Sequence, residues 1–498
     1  MIVDIDRTDP TPLYQQLKAG IAGLVQGGLL PPGARLPSTR ELSVSLGVNR
    51  NTVIAAYQEL EVEGLVISHV GRGTSVCAHL PAAAVAAGAP PRETMHLEAL
   101  LSNTWRNSYQ RIPTELEQVQ GADDDPHALS FASHFPDASL FPLDEFGWCL
   151  QSAMRKYGTD LLAGGSPRGF APLLDYLPSF LARRGIQCTR DEIMIVNGVQ
   201  QGLSMVGKLF LDPGDTVVME NLSYPGAIGA FRSLQATCIG VSVDQDGMNV
   251  EQVENVLGRR RAKLLYTMPT YQNPTSAVLS TARRHRLIET CRERGTLIVE
   301  DDYVHELALD GREVLPLKAR DAAGGMISMG SFSEILCPGI RLSWIVAPAP
   351  IIDRLLPIKQ YSDLYTNRIL QGALLEFCQR GLLEKHLKRK IAAYRHRRDA
   401  MLAAMEASFP DEVRWSTPRG GLFLWVDLPR GMDALALLGK ARARGVVFAP
   451  DRLFSVEEWE RGGLRLGFAA VDEERIEKGI RVLADAMKES ASTGRDGP

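Results

Sequence analysis

Hydrophobic residues recur every three or four positions in the first 64 residues, which is the spacing of one helix face. Ser38, with Glu41 three residues later, forms a capping box before the second of three helical segments, and Asn49 is a suitable N-cap for the third. A short strand, a glycine turn and another strand follow up to Val76. Helices and a hairpin in this order predict a winged helix-turn-helix.

From Phe131 onward, short apolar strands alternate with longer amphipathic helices, a pattern typical of an α/β fold. Ile193–Val196 reads as an apolar strand that ends at a glycine turn, and a helix is expected to begin near Val199. A second buried strand ends in acidic residues at Asp301. The stretch after the head is rich in alanine, proline and glycine, as linkers are. The predicted domains are a head (1–76), a linker (77–125), a body (126–490) and a tail (491–498).

Composition restricts the class of protein. A chain of 498 residues with 45% hydrophobic and 23% charged residues is expected to form several globular domains. Its seven scattered cysteines form no C-x-x-C pair, and its nine histidines show no metal-ligand spacing, so we expect reduced thiols and no metal. We find neither a signal-peptide pattern nor an apolar run of roughly 18–20 residues, so no membrane contact and a soluble, cytoplasmic location are expected. The net charge of −4 gives no support to nucleic-acid binding by itself.

The motif LPSTRELSVSLGVNRNTVIAAYQELEVEGLV, with GRGTSV after it, resembles the GntR-type winged-helix domain along nearly its whole length. The resemblance implies that the second helix of the helix-turn-helix pair lies in the major groove of double-stranded DNA, with its first turn meeting base edges. The residues implied in DNA contact are Arg40, Arg50, Asn51, Thr52, Arg72 and Gly73. Because residues 1–76 carry six Lys and Arg against seven Asp and Glu, we expect that two heads on a homodimer are needed for useful affinity.

The stretch MISMGSFSEILCPGIRLSW resembles the S-x-S-K-x-x-x-P-G-x-R segment of fold-type I aminotransferases. In that family the fourth position is the lysine that forms a Schiff base with pyridoxal phosphate, whereas this chain has Glu334. A winged helix followed by such a body is the order of the MocR-like branch of the GntR regulators. The chain therefore resembles that subfamily, with an α+β head and a fold-type I α/β body.

The same resemblance implies a set of cofactor contacts. They are Gly198, Val199, Gln200, Tyr224, Asn273, Asp301, Tyr303, Ser331, Ser333, Glu334 and Arg341. In this set the turn before the helix at Val199 holds the phosphate together with Ser331 and Arg341. Tyr224 stacks on the pyridine ring, Asp301 pairs with the pyridine nitrogen, and Asn273 and Tyr303 reach the phenolic oxygen. Arg465 stands where the family binds a ligand carboxylate.

Glu334 changes the chemistry that this resemblance implies. A carboxylate can neither capture an aldehyde as an imine nor move the proton at Cα, so we predict no catalytic residue and no enzyme. We predict instead a regulator whose body binds pyridoxamine phosphate, or a preformed adduct of pyridoxal phosphate and an amino acid, without a covalent bond. Glu334 would pair with the nitrogen of this amine or amino-acid effector.

Other interpretations remain open from the sequence. A distant lysine could fold into the site and make the chain an active pyridoxal-phosphate aminotransferase with an accessory DNA-binding head. The body could be only a dimerisation scaffold for an effector-independent repressor, or Glu334 could be an introduced change. The basic segment over 385–402 could form a second DNA surface, but we expect an amphipathic helix. Its predicted buried residues are Leu387, Ile391, Ala392 and Met401.

Overall fold

The computed structural model describes residues 5–7, 9–26, 29–69, 73–77, 100–102, 104–105, 128–133, 135–312, 314–321, 323–457 and 462–493. The chain divides into two units, 1–101 and 102–498. Arg72 and almost all of the predicted linker lie outside the described residues. The predicted domain boundaries therefore stay predictions.

The N-terminal unit has the predicted helices and hairpin. Its elements are α1 (Leu13–Gln26), α2 (Thr39–Leu46), α3 (Arg50–Val62), β1 (Val66–His69) and β2 (Gly73–Val76), and the two strands pair antiparallel. The capping box before α2 is formed, because Ser38 Oγ accepts from the Glu41 amide at 3.2 Å and Glu41 Oε2 accepts from the Ser38 amide at 2.9 Å. Leu17, Val53 and Leu60 are fully buried where α1 packs on α3. The predicted winged helix-turn-helix is confirmed.

The second unit is an α/β fold, as expected. Its helices are α4 (Leu143–Tyr157), α5 (Ala171–Ala182), α6 (Val199–Phe210), α7 (Pro225–Ser233), α8 (Val250–Arg259), α9 (Thr281–Arg294), α10 (Ala349–Asp363), α11 (Arg368–Gln379), α12 (Leu382–Ser408), α13 (Ala434–Arg442) and α14 (Glu473–Thr493). Its strands are β3 (Leu129–Ser130), β4 (Ile193–Val196), β5 (Thr216–Glu220), β6 (Thr237–Val241), β7 (Val243–Asp244), β8 (Gly247–Met248), β9 (Ala262–Thr267), β10 (Leu297–Asp301), β11 (Met326–Ser331), β12 (Ser343–Val346), β13 (Arg414–Trp415), β14 (Phe423–Asp427), β15 (Val446–Val447), β16 (Ala449–Pro450) and β17 (Gly463–Gly467).

Seven strands form the central sheet, in the order β4-β12-β11-β10-β9-β5-β6. Only β12 runs antiparallel to its neighbours, so the carboxyl ends of the other six strands lie along one edge. Every residue of β4, β11 and β12 is buried, as expected for strands covered on both faces. In open α/β sheets this edge is where ligands bind.

A smaller antiparallel sheet, β13-β14-β17-β16, lies towards the end of the chain. β14 pairs with β17, and this register sets Trp425 opposite Arg465. Helices α12 and α14 pack against each other in the same part of the body. No helix within the described ranges is long and apolar enough to cross a membrane.

The predicted buried face of α12 is largely wrong. Met401 is buried as expected, but Leu387 and Ile391 are only half-buried and Ala392 is exposed. The buried positions are Leu383, His386, Lys390, Tyr394, Arg397, Arg398, Met401 and Met405. The apolar pattern fails because several buried side chains are long and basic and find partners inside the body. Arg397, for example, donates to Asp137 at 2.7 Å.

Candidate functional site

The first turn of α3 carries most of the side chains predicted to contact DNA. Arg50 and Asn51 are exposed and Thr52 is half-buried. The Asn49 side chain caps this turn by accepting from the Asn51 amide at 2.9 Å. Arg40 on α2 and Gly73 at the hairpin are also exposed, whereas the predicted wing-tip Arg72 lies outside the described residues. These contacts remain predictions.

The predicted phosphate site lies at the carboxyl end of β4, where α6 begins. Gly198 has φ +84, a left-handed conformation, and a Cβ there would lie 2.1 Å from Arg341 Nη2. Arg341 can therefore cross the glycine and donate to the Asn197 carbonyl oxygen at 3.2 Å. Val199 is the first residue of α6, whose free backbone N–H groups and dipole favour an anion. A guanidinium beside a helix N-terminus suits a phosphate group.

Gln200, also in the first turn of α6, is bonded differently from the other predicted phosphate contacts. Its Nε2 atom donates to the carbonyl oxygen of Gly226 at 2.8 Å and so bonds to the first turn of α7. Its Oε1 atom is buried and has no hydrogen-bond partner among the described residues. The side-chain nitrogen of Gln200 is therefore already bonded, which leaves its backbone N–H in the first turn of α6 for the predicted phosphate contact.

Ser331, Ser333 and Glu334 follow the carboxyl end of β11. Ser331 Oγ accepts from the Ser333 amide at 3.0 Å and bonds to Ser343 Oγ at 3.1 Å. Glu334 as a residue is half-buried, but its Oε2 atom is inaccessible and has no hydrogen-bond partner among the described residues. Burial raises the pKa of Glu334, and hydrogen bonding to Ser331 and the charges of Arg341 and Lys390 oppose this effect.

Asp301 ends β10, which is separated from β4 by the two strands β12 and β11. Its Oδ2 atom accepts from the Tyr266 hydroxyl at 2.8 Å, whereas Oδ1 is buried and no described residue bonds to it. Burial, with the Glu334 charge nearby, raises the pKa of Asp301 to about 8. A cationic N–H group would be a suitable partner for Oδ1, because it would return this carboxyl to its ionised form.

Two tyrosines share the space around these carboxyls. Burial raises the pKa of Tyr224 to about 12, and the charges of Asp301 and Glu334 act in the same direction. Burial and these same two carboxyls also raise the pKa of Tyr303, while Arg465 lowers it. Both phenols therefore stay protonated at neutral pH and can donate a hydrogen bond. Because these groups affect one another's charge, they are close neighbours in one site: Tyr224, Tyr303, Asp301, Glu334 and Arg465.

Asn273 and Arg465 join the small sheet to this site. Arg465 Nη1 donates to Asn273 Oδ1 at 2.9 Å and Nη2 donates to the Ala132 carbonyl oxygen at 2.7 Å. The guanidinium lies 4.4 Å from the ring centre of Phe423 and 4.9 Å from that of Phe454. Burial lowers the pKa of Arg465 to about 10, so the group is still a cation at neutral pH. Its Nε atom is buried without a partner in the described chain.

Unpartnered buried polar atoms collect around this site. They are Gln200 Oε1, Glu220 Oε2, Ser223 Oγ, Asp301 Oδ1, Ser333 Oγ, Glu334 Oε2 and Arg465 Nε. Buried polar groups without hydrogen bonds are rare in folded proteins, so a group of them in one place indicates a polar ligand. The set consists mainly of acceptors and includes one cation, Arg465. The exposed Arg341 lies at its margin. A ligand with N–H donors and a phosphate or carboxylate fits it, and a purely anionic ligand fits less well.

Two lysines near the site were missed by the sequence reasoning. Lys390 Nζ donates to the Glu334 carbonyl oxygen at 2.8 Å, and Lys359 Nζ donates to Gln201 at 3.1 Å and to Asp363 at 2.9 Å. His386, Lys390 and Tyr394 are spaced by four residues and share one stripe of α12, which is a signal that could have been read. Within the described ranges no group of three His, Cys, Asp or Glu residues could hold a metal ion.

Comparison with known proteins gives two family matches. The family described as aminotransferase class I and II matches residues 155–483, and the family described as bacterial regulatory proteins, gntR family, matches residues 13–76. The chain is 36% identical over 382 residues to aromatic-amino-acid aminotransferase 1 of Thermococcus litoralis, which covers 76% of this chain and 92% of that protein.

A second relative matches nearly end to end. The probable rhizopine catabolism regulatory protein MocR of Rhizobium meliloti is 29% identical over 501 residues, covering 98% of this chain and 97% of that protein. Among solved structures, kynurenine aminotransferase of Pyrococcus horikoshii in complex with pyridoxamine phosphate superimposes with a TM-score of 0.76 at 35% identity. That match covers 79% of this chain and 98% of the other.

Proposed function

Since the chain belongs to the aminotransferase class I and II family and carries a gntR-type DNA-binding domain in front of it, we propose that its body senses a pyridoxamine-type amine without binding it covalently. This order of domains is that of the MocR-like regulators, and DNA is the partner of the head. The body is of the kind that binds vitamin B6 phosphates, and a related enzyme has been solved with pyridoxamine phosphate.

The proposal depends on Glu334, which by resemblance stands where the family has its lysine, and on the surroundings of its carboxylate. Its Oε2 atom is buried and unpartnered in the described chain, and it lies in a site that also contains Asp301 and Tyr224. An unpaired buried charge is costly, and an ammonium group is its natural partner. A pyridoxamine ring would offer an amine to Glu334, a protonated nitrogen to Asp301 and a phosphate to Arg341.

The residues of this chain would bind and orient such a ligand but not transform it. Glu334 has no amine with which to replace the lysine, and Lys390 Nζ is held by main-chain carbonyl oxygens of the turn. The chain is therefore proposed to be a regulator without transaminase activity. Ligand binding would shift the populations of the body's conformations and, in a homodimer, the spacing of the two heads on DNA.

Calorimetric titration of the full-length protein with pyridoxamine phosphate and with pyridoxine phosphate tests the proposal. The two ligands differ only in an amine or a hydroxyl group at the position that would face Glu334. We expect the amine to bind at least 10-fold more tightly, because its pair with Glu334 adds a charge-assisted bond worth about 1.5–3 kcal/mol. Glu334→Gln, of nearly equal shape, should remove most of this preference.

Other outcomes contradict the proposal in separate ways. No binding of either phosphate would leave the body as a dimerisation scaffold. Equal binding of both would remove Glu334 from recognition. An absorbance in the visible range that disappears with amino donors, together with turnover of those donors, would make the chain an aminotransferase despite Glu334.

A further inference from the structure

Lys390 on α12 is a buried lysine that bonds to the turn carrying Glu334, although 56 residues separate the two in sequence. Its residue exposure is 1%. Its Nζ atom donates to the Glu334 carbonyl oxygen at 2.8 Å and to the Leu336 carbonyl oxygen at 3.3 Å. An ammonium that bridges two carbonyls of one turn restricts the direction in which the intervening side chains point.

The charges around Lys390 make Glu334 its main electrostatic partner. The groups that act on Lys390 are Glu334, Cys337 and Asp137, and the basic neighbours on its own helix are His386 and Arg389. Asp137 accepts a hydrogen bond from Arg397, so its charge is already compensated. Burial, with the charges of Lys390 and Arg389, lowers the pKa of His386 to about 4, which leaves this ring neutral. Nowhere in the described chain does Lys390 form an ion pair with a carboxylate at bonding distance.

Glu334 and Lys390 therefore depend on each other. Burial opposes the charged form of both, and each raises the stability of the other's charged form. The charge of Arg341 favours an ionised Glu334 at least as strongly as that of Lys390, but Arg341 is exposed and bonded to the Asn197 carbonyl oxygen, whereas Lys390 is buried against the turn itself. Lys390 reaches the turn at its main-chain oxygens, whereas Glu334 Oε2 is left without a bond in the described chain. The charge of Lys390 can thus stabilise the ionised carboxylate of Glu334 while its Oε2 atom stays open to a ligand.

We propose that Lys390 is a positioning residue that fixes the turn at Glu334 and supplies a buried countercharge that helps to keep its carboxylate ionised, so that the body selects ligands with an amine over those with a hydroxyl group in its place. The inference rests on the proposed amine-binding function. It assigns a part in ligand specificity to the long helix α12, which the sequence pattern predicts only as an amphipathic helix.

The test compares the affinity ratio of pyridoxamine phosphate to pyridoxine phosphate in the wild type and in Lys390→Met at pH 6.5. Methionine has a similar length but no donor and no charge, so we expect the ratio to fall about 10-fold. Lys318→Met is the control for the loss of a largely buried lysine away from the site, because Lys318 donates to the Met326 carbonyl oxygen at 3.1 Å and pairs with Asp321 at 2.8 Å at the opposite end of β11. The control should keep the wild-type ratio.

The pH dependence separates charge from packing. Because burial lowers the pKa of Lys390 to about 7, its ammonium form is lost as pH rises through this value. The difference between wild type and Lys390→Met should therefore be large at pH 6.5 and small at pH 8.5. The phosphate and pyridine groups are common to both ligands, so their titration cancels in the ratio. A packing defect alone would give a difference that does not change with pH.

Two results distinguish a failure of the proposed function from a failure of this inference. If the wild type shows no preference for the amine, the proposed function fails before Lys390 is in question. If the wild type shows the preference and folded Lys390→Met keeps it within 2-fold, the inference is overturned. If Lys390→Met does not fold, Lys390→Gln, which keeps an N–H donor but no charge, replaces it and should show the same loss. In a Glu334→Gln background, Lys390→Met should leave the ratio unchanged.

Discussion

Gly198 shows how one residue sets the geometry of the proposed phosphate site. Its positive φ begins α6 directly after β4, and its missing side chain is the space through which Arg341 reaches the Asn197 carbonyl oxygen. An added Cβ would lie 2.1 Å from Nη2 and 2.7 Å from Cζ of Arg341. The guanidinium would have to leave this position, and the turn would be strained as well.

Gly198→Ala is therefore expected to weaken pyridoxamine phosphate binding by about 10- to 100-fold, the equivalent of one or two charge-assisted bonds. Binding of pyridoxamine, which has no phosphate, should change much less. Gly229→Ala on α7 is the control, because an added Cβ there meets no atom within 4 Å. Calorimetry with both ligands measures the effect. An equal loss for both would mean that Gly198 maintains the fold and not the phosphate contact.

Among the elements, α3 is the one whose exposed first turn is proposed to read DNA. Arg50 is exposed, and its Nε donates to Thr39 Oγ1 at 3.2 Å, which ties the arginine to the start of α2. Arg50→Ala should lower the affinity of the full chain for a duplex selected by the wild-type protein by about 5- to 150-fold, as expected for a base contact worth about 1–3 kcal/mol.

Gln58→Ala, at an exposed position two turns further along α3, is the matched control and should bind as the wild type does. Fluorescence anisotropy at two salt concentrations distinguishes the kind of contact. A base-reading arginine loses discrimination between the selected duplex and an unrelated one, whereas a phosphate contact weakens both duplexes alike. Unchanged binding by Arg50→Ala would remove the first turn of α3 from the interface.

Elements with strong local signals could be predicted from the sequence. The capping residues Ser38 and Asn49, the strand Ile193–Val196 and the start of α6 at Val199 all lie where the pattern put them. Each is determined by neighbours within a few residues, through caps, turns and runs of apolar side chains. The resemblance to a family supplied the residues of the site, and the structure brings most of them to one edge of the sheet.

The buried face of α12 could not be predicted in this way. Lys390 and Arg397 are buried because of partners 56 and 260 residues away, the carbonyl oxygen of Glu334 and the carboxylate of Asp137. A hydrophobic pattern assigns such side chains to solvent, since it contains no information on distant partners. For the same reason, the hydrophobic pattern could not predict the contact between Lys390 and the turn at Glu334.

At the scale of the whole molecule, several carboxyl groups with raised pKa values are buried in the body. Burial raises the pKa of Glu220 and of Glu300 to about 7 and that of Asp301 to about 8. It also raises the pKa of Glu334. An acid whose pKa is higher in the folded state binds its proton more strongly there. Its contribution to stability is complete below the unfolded pKa and is lost as pH rises through the folded pKa. The ligand-free body should therefore be more stable at pH 5.5 than at pH 8.5.

Glu220→Gln isolates one part of this dependence. Glu220 Oε1 accepts from the Thr267 hydroxyl at 2.6 Å and from the Met268 amide at 3.1 Å, bonds that a glutamine oxygen can keep. Because glutamine does not ionise, the variant should lose less stability than the wild type between pH 5.5 and 8.5. With a pKa raised from 4.5 to about 7, the difference is on the order of 2 kcal/mol over this range. Thermal unfolding at several pH values measures it as a few degrees.

Glu254→Gln is the control for this experiment. Arg286 lowers the pKa of Glu254, so its contribution is present above the unfolded pKa and constant between pH 5.5 and 8.5. The variant's unfolding temperature should differ from that of the wild type by the same amount at every pH in this range. If Glu220→Gln also gave a curve parallel to that of the wild type, Glu220 would be ionised throughout, and a cation would have to compensate it. Saturation with pyridoxamine phosphate should leave the contributions of Glu220 and Glu300 in place and remove those of Asp301 and Glu334, because the last two would then be paired as carboxylates.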